Sequence, residues 1–275
     1  MAFKLPGKKS NTTPPAQDEK EMSFLDHLEE LRWHIIRSIG AIFVFGIAAF
    51  LLKDVVVDVI MAPRYNEFIT HRLLCSTFGV HCDVPQFEII NRALGEDFFV
   101  HLKVSVSIAL IFAFPYLIWE IWRFVKPGLY AHEQKAARGI VAVCSILFFF
   151  GVLFGYFVIA PMAISFLAGY SFGEDSVNTS TLSSFVGYIT VITLPAGIVF
   201  ELPVIAFFFA KIGILSSSMM KNYRRHAIVI IFILAAIITP PDIITQLLLG
   251  VPLIGLYELS ISIVKRIEKK AARED

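Results

Sequence analysis

Long apolar segments alternate with charged connections along this chain of 275 residues. A helix needs about 20 apolar residues to cross the hydrocarbon core of a bilayer, and the third and fourth segments exceed that length easily. The pattern therefore predicts an all-α integral membrane protein. Its six transmembrane helices are expected at residues 35–52, 99–124, 139–161, 184–210, 226–240 and 244–263.

The last two predicted spans are short. The fifth lies between Arg225 and Asp242, and Pro240 ends it early. Residues 227–239 extend only about 20 Å at a helical rise of about 1.5 Å per residue. The sixth span is also short if Asp242 and Glu258 mark its polar limits. We expect a hairpin that does not fill the bilayer and thins it locally.

Prolines occur inside most of the predicted spans, and each removes a backbone donor and bends its helix. Bent helices favour a curved shell with a concave face over a straight bundle. The prolines in question are Pro115, Pro161, Pro195, Pro203 and Pro252.

Residues 21–34 precede the first span and have a different pattern. Apolar side chains recur at helical spacing from Phe24 to Leu31, with acidic side chains opposite. This predicts an amphipathic cytosolic helix that leads directly into the membrane. Residues 1–20, rich in lysine, proline and asparagine, are expected to form a disordered cytosolic tail, and no cleavable signal peptide is expected.

Composition narrows the class of protein and charge sets its orientation. Hydrophobic residues make up 56% of the chain and charged residues 17%, which excludes a soluble enzyme, a disordered protein and a secreted disulfide scaffold. Most of the 24 Lys and Arg residues lie where an inside N-terminus would put them in the cytoplasm. The basic C-terminal segment 264–275 belongs to this group. The exceptions are Lys53, Arg64, Arg72, Arg92 and Lys103.

The long connection at 53–98 should lie outside the cytoplasm. Its valines and isoleucines are numerous enough for it to pack as a cap over the spans of a six-span domain at 35–263. Cys75 and Cys82 lie in this loop. They could close a small ring in an oxidising compartment, and two free thiols are the alternative.

Catalytic motifs give no support to an enzyme. Residues 169–173 match G-x-S-x-G, but they end a span and follow no strand. The seven histidines do not share metal-ligand spacing on one helix face, so we expect no metal ion and no cofactor. The spacing of Gly151 and Gly155 is typical of close helix packing, more often within a chain than between chains.

Three acidic residues lie near or inside the spans. Glu120 and Glu258 lie near span ends, where each could extend toward the membrane surface or serve a function. Glu201 lies between two uncharged stretches, 176–200 and 202–210. A charge at that depth costs at least about 2.5–3.5 kcal/mol, so Glu201 needs a partner, water or a proton. An internal hydrogen bond is the structural alternative.

Several strings resemble the TatC family, the multispanning receptor of the twin-arginine protein translocation (Tat) system. Residues 24–32 (FLDHLEELR) resemble its N-terminal signature, and residues 122–133 resemble its first cytoplasmic loop. Residues 200–203 are similar to its fourth span. Residues 239–242, followed by Gln246, are similar to the turn between its last two spans.

The resemblance implies a function in protein transport. TatC-like proteins bind the twin-arginine signal peptides of folded proteins at the cytoplasmic face of a bacterial-type inner membrane. They act in a multi-subunit complex with single-span partners of the TatA and TatB type, driven by the protonmotive force. Both termini would be cytoplasmic, and no nucleic acid would be bound.

The resemblance also implies roles for individual residues. The signal-peptide site would include Glu30 and Glu133, with Phe124 nearby and Arg32 on the same helix. Glu201 and Gln246 would be intramembrane polar positions where a partner helix docks. Pro63, Pro127 and Asp242 would have structural roles.

Physical chemistry supports the acidic residues of this site. Two adjacent arginines need planar acceptors, and carboxylates accept a guanidinium through two parallel hydrogen bonds. The sequence departs from the family at His34, where many relatives carry a basic Arg or Lys, and at Gln134 and Lys135, where two arginines are common. The alternative function is a proton-coupled small-molecule exporter that uses Glu201 as its proton carrier.

Overall fold

The computed structural model describes residues 24–79, 85, 87–126, 139–170, 179–239 and 242–274. Helices dominate this part of the chain. They are α1 (Phe24–Leu51), α2 (Lys53–Met61), α3 (Ile69–Phe78), α4 (Glu96–Val125), α5 (Ile140–Phe154), α6 (Ala160–Gly169), α7 (Leu182–Val199), α8 (Leu202–Lys211), α9 (Ser217–Asn222), α10 (Arg224–Ile238) and α11 (Ile243–Glu274). A 3₁₀ turn (Ala62–Arg64) follows α2, and a π turn (Gly155–Ile159) joins α5 to α6. Strands β1 (Glu88–Ile90) and β2 (Thr179–Thr181) pair in parallel.

The helices confirm the all-α membrane class. Five stretches are long and apolar enough to cross a membrane: 28–51, 96–125, 140–169, 182–211 and 243–270. The predicted fifth span corresponds to α10, which has 15 residues and reaches only about 22 Å. The sixth differs from the expectation in one respect, because α11 continues past Glu258 to Glu274. The expectation of a short sixth span is therefore wrong, since residues 243–270 are long and apolar enough to cross a membrane.

The spans form a row of neighbours. α1 packs along α4, and α4 packs against α5 and α7, which also contact each other. α8 then packs against α11, and α10 lies on α11. This order runs from α1 at one edge to α10 at the other, as expected of a curved shell. The N-terminal turns of α1 and the last turns of α4 lie at the same end, hereafter the basic end.

Prolines interrupt the central spans. Pro203 is at the start of α8 and has no N–H to continue the ladder of α7, so the chain turns at Phe200 and Glu201. Pro161 follows the π turn between α5 and α6. Pro115 and Pro252 lie inside continuous helices.

The two glycines of the predicted packing motif lie against α7. A Cβ atom at Gly151 would come within 2.8 Å of the Ala196 carbonyl oxygen, and one at Gly155 within 3.0 Å of the Thr193 Cα. Gly197 is equally close to the Val152 side chain, at 2.7 Å. This confirms the intrachain interpretation of the glycine spacing, since only hydrogen atoms fit at these contacts.

The connection at 53–98 packs onto the spans. Pro63 is buried, and its carbonyl accepts a hydrogen bond from His71 Nε2 at 3.2 Å. The Tyr156 hydroxyl of the π turn donates to the Val59 carbonyl, and the Thr70 hydroxyl donates to the Phe157 carbonyl. The cap is therefore hydrogen-bonded to the π turn of the third span.

One cysteine of the cap takes part in a disulfide. Cys75 is disulfide-bonded, whereas Cys144 is a buried free thiol in α5. Cys82 lies outside the described residues, so the predicted pairing of Cys75 with Cys82 stays a prediction.

Candidate functional site

Glu30 lies near the start of α1, at the basic end. Its side chain is 37% exposed, and its Oε1 atom lies 3.9 Å from His34 Nε2, one helical turn further along. Its Oε2 atom is buried and has no hydrogen-bond partner among the described residues. A buried oxygen without a donor costs about 1–3 kcal/mol, and more when it carries charge. Glu30 is thus an acceptor whose bonding capacity the described residues leave unused.

His34 joins α1 to α4. The imidazole is buried, and its Nδ1 atom is hydrogen-bonded to Glu120 Oε2, whose side chain is 1% exposed. The Tyr116 hydroxyl is hydrogen-bonded to the same carboxylate. Arg37 and Arg123 approach it from the exposed side, at 4.0 and 3.6 Å. Two carboxylates, Glu30 and Glu120, therefore lie on opposite sides of one imidazole.

Phe124 also contacts this histidine. The rings of His34 and Phe124 are 6.0 Å apart and meet edge to face, a favoured arrangement of aromatic rings. The structure thus brings together Glu30 and Phe124, two of the predicted signal-peptide residues. Arg32 is exposed on α1. Glu133 and Pro127, the remaining predictions in this region, lie outside the described residues.

Sequence reasoning left Glu120 undecided between a surface position and a function. Its main partner, His34, is 86 positions away in the chain, so no local spacing could reveal the pair. Weak signals were present at Glu30 and His34, which are four positions apart, and at Glu120 and Arg123, which are three apart. Each of these pairs could only be recognised as part of a cluster after α1 and α4 had been placed together.

Glu201 forms a second, separate polar site. It lies at the turn between α7 and α8, and its carbonyl accepts hydrogen bonds from the N–H groups of Val204 and Ile205, at 2.9 and 3.0 Å. The residue is 8% exposed, and its side chain is hydrogen-bonded to the Cys144 thiol and to the Phe148 backbone, both of α5. Its Oε1 atom has no hydrogen-bond partner in the described part of the chain. No salt bridge between described residues includes it.

The hairpin of α10 and α11 contains Asp242 and Gln246. Asp242 is buried and directly precedes α11, where its Oδ2 atom accepts the Thr245 N–H at 2.7 Å, as expected of a helix cap. The Gln246 side-chain amide donates to the Phe232 carbonyl of α10 at 3.1 Å. Gln246 thus links the two helices of the hairpin and Asp242 caps α11, and the hydrogen bonds of neither side chain include Glu201.

Glu258 pairs across the same hairpin. Its Oε1 atom lies 2.7 Å from Arg224 Nε, and both side chains are about half exposed. The position at a span end was predicted, but the ion pair was not. Across the described residues, no group of three His, Cys, Asp or Glu side chains is arranged to hold a metal ion.

Comparison with known proteins identifies the family. The family profile described as "TatC: Sec-independent protein translocase protein (TatC)" matches residues 26–252. A Sec-independent protein translocase protein TatC of Campylobacter jejuni is 37% identical over 241 residues, which are 88% of this chain and 93% of the relative. One from Blattabacterium is 36% identical over 264 residues, covering 92% and 98%.

Solved structures agree with these relatives. A crystal structure titled as the twin-arginine translocase receptor TatC superposes with a TM-score of 0.68 at 30% identity, covering 88% of this chain and 99% of its own. A second crystal structure, of the receptor in DDM, gives a TM-score of 0.69 at 30% identity over 86% and 98%. The chain therefore belongs to the TatC family of Sec-independent protein translocase proteins.

Proposed function

We propose that this protein is the receptor subunit of a twin-arginine translocase. It binds the twin-arginine signal peptides of folded proteins at the basic end of its spans. With single-span partners of the TatA and TatB type, it exports those proteins using the protonmotive force. The observation that carries the proposal is the Glu30 carboxylate, which has a buried oxygen without a hydrogen-bond donor.

The chemistry of Glu30 suits an arginine of the peptide. A guanidinium presents parallel N–H donors that fit the two oxygens of a carboxylate. The neighbouring Phe124 ring offers an apolar surface for the side chains that flank the arginine pair. Glu133 would supply the second acceptor, as the family resemblance implies, so that each arginine of the pair has its own carboxylate.

The proposed orientation puts the basic end in the cytoplasm of a bacterial cell, with the protein in the inner membrane. The four connections rich in Lys and Arg all meet at this end when the chain crosses six times. Both termini are then cytoplasmic, and the cap at 53–98 faces the opposite compartment, where oxidation of Cys75 is chemically favoured.

Glu201 is proposed to dock a partner helix. Lipid cannot supply a donor for its unpartnered oxygen, whereas a polar side chain on an incoming single-span helix can. Gln246 is proposed for the same docking surface. Membership of the TatC family favours this role over the small-molecule exporter that an isolated intramembrane carboxylate would also allow.

Peptide binding tests the proposed receptor function. We expect Glu30→Gln and Glu133→Gln each to weaken binding of an Arg-Arg signal peptide by about 1.5–3 kcal/mol, the contribution of a hydrogen bond to a charged group. The measurement is fluorescence anisotropy of a labelled peptide with the purified receptor in nanodiscs.

Glu29→Gln is the matched control, because Glu29 is the exposed neighbour of Glu30. It removes the same charge from the same helix turn and should leave the peptide affinity almost unchanged. Normal binding by both the Glu30 and the Glu133 variants would refute the proposed site.

A further inference from the structure

We propose that His34, held in place by Glu120, is a positioning residue that orients the Glu30 carboxylate to accept arginine in preference to lysine. The inference rests on the proposed function, since it concerns the selectivity of the same peptide site. Glu30 is the acceptor of the arginine, His34 orients Glu30, and Glu120 holds His34 in place.

The orientation of the imidazole is fixed on three sides. Nδ1 is hydrogen-bonded to the buried Glu120 carboxylate, the Phe124 ring meets the imidazole edge to face, and the whole side chain is buried. Nε2 is thereby directed at Glu30. A histidine ring held by a carboxylate at one nitrogen presents the other in a defined direction.

The contact with His34 orients the Glu30 carboxylate without using up its hydrogen-bonding capacity. At 3.9 Å, the separation of His34 Nε2 and Glu30 Oε1 is an ion-pair distance and is longer than a hydrogen bond. Oε1 therefore keeps bonding capacity, and Oε2 has no donor among the described residues. Neither oxygen is committed to a hydrogen-bond donor, and a guanidinium needs both of them together in one plane.

The surrounding charges leave Glu30 as the acceptor. Arg37 and Arg123 lie beside Glu120, and Tyr116 bonds to it, so that carboxylate is already supplied with cations and donors. Among the salt bridges of the described residues, Glu30 has only the His34 contact. Glu120 Oε1 also has no hydrogen-bond donor among the described residues, but the Glu120 side chain is 1% exposed, whereas that of Glu30 is 37% exposed. An incoming arginine therefore reaches the Glu30 carboxylate, which has no arginine or lysine partner among the described residues.

The selectivity follows from the geometry of the ligand. A guanidinium gains its second hydrogen bond only if the carboxylate plane is correctly oriented, whereas a lysine ammonium is a compact charge that binds in many orientations. Loss of the positioner should therefore weaken binding of an Arg-Arg peptide and leave binding of a Lys-Lys peptide almost unchanged.

The decisive variant replaces both partners of the pair with apolar side chains, His34→Leu with Glu120→Leu. Joint replacement avoids leaving one buried member of the pair alone, and Arg37 and Arg123 are nearly half exposed, so they can turn to water when Glu120 is removed. We would measure the affinities of Arg-Arg and Lys-Lys versions of one signal peptide for the full-length receptor in nanodiscs. The expected result is a preference for Arg-Arg that falls about tenfold, the factor set by one charge-assisted hydrogen bond, with Lys-Lys affinity within about twofold of wild type.

The control is the matched pair Arg224→Leu with Glu258→Leu, an interhelical ion pair between α10 and α11. It should keep the wild-type preference. The inference is overturned if the His34/Glu120 double variant keeps that preference, or if it loses affinity for both peptides equally, as a purely structural pair would. A wild-type receptor that binds no Arg-Arg peptide would instead overturn the proposed function itself.

Discussion

Two buried glutamates of this protein have opposite surroundings. Glu120 is bonded to His34 and Tyr116 and has two guanidinium groups within 4.0 Å. Glu201 is also buried, but its hydrogen-bond partners are the Cys144 thiol and the Phe148 backbone, and no salt bridge between described residues includes it. Each of the two carboxylates has one oxygen without a donor in the described structure. The comparison shows that burial alone does not define a functional carboxylate. The charge of the neighbours separates Glu120, which has two arginines beside it and joins two helices, from Glu201, which lies among uncharged groups and is proposed to receive a partner.

The largest expected effect separates the two residues by stability. Glu120→Leu leaves His34, Arg37 and Arg123 without their shared carboxylate, and removal of one member of a buried pair typically costs about 3–5 kcal/mol. Glu201→Leu removes a partly unsatisfied group and should leave stability unchanged or slightly higher. Thermal unfolding of the purified proteins in detergent measures both. Equal destabilisation by the two substitutions would break the comparison.

Transport assays should distinguish the Ala and Gln variants of Glu201 by their export activity. Glu201→Ala should impair export of a twin-arginine substrate while peptide binding stays near normal, because the site at the basic end is intact. Glu201→Gln keeps the hydrogen-bonding shape and should retain much of the activity. The measurement is export of a reporter protein together with the peptide affinity of each variant.

The order of these variants decides the role of Glu201. If Gln is as inactive as Ala, ionisation of the carboxyl group matters and the proton-carrier alternative gains support. Normal transport by the Ala variant would reduce Glu201 to a structural hydrogen bond and contradict the docking proposal.

The smallest effect is expected at a third glutamate. Glu258 and Arg224 are paired at 2.7 Å, but each is about half exposed, and exposed ion pairs contribute about 0–1 kcal/mol. Glu258→Gln should therefore lower the unfolding temperature little and should leave both peptide binding and transport intact. A loss comparable to that of Glu120→Leu would show that exposure is a poor guide to these pairs.

The sequence was informative where the relevant property is local. The depth of Glu201 could be predicted because uncharged residues surround it in the chain. The close helix contact at Gly151 and Gly155 could be predicted because the two glycines are about one helical turn apart. The side of this contact contributed by Gly197 of α7 could not be predicted, and neither could the pair of His34 with Glu120. Both depend on which spans become neighbours. The length of α11 was also missed, because charged residues after Glu258 do not end a helix that emerges into water.

In the third span, the proline that interrupts the helix and the contact with the cap meet at the same carbonyl, that of Phe157. Pro161 has no N–H, so it cannot bond to the carbonyl of Phe157 one turn earlier. Thr70 supplies the donor for that carbonyl. A helix with an N–H at position 161 could have used this carbonyl internally, so the missing donor of a proline leaves an acceptor to which the cap is bonded. Pro161 therefore couples the backbone of this span to the position of the cap, although it lies in a different span from both glutamates.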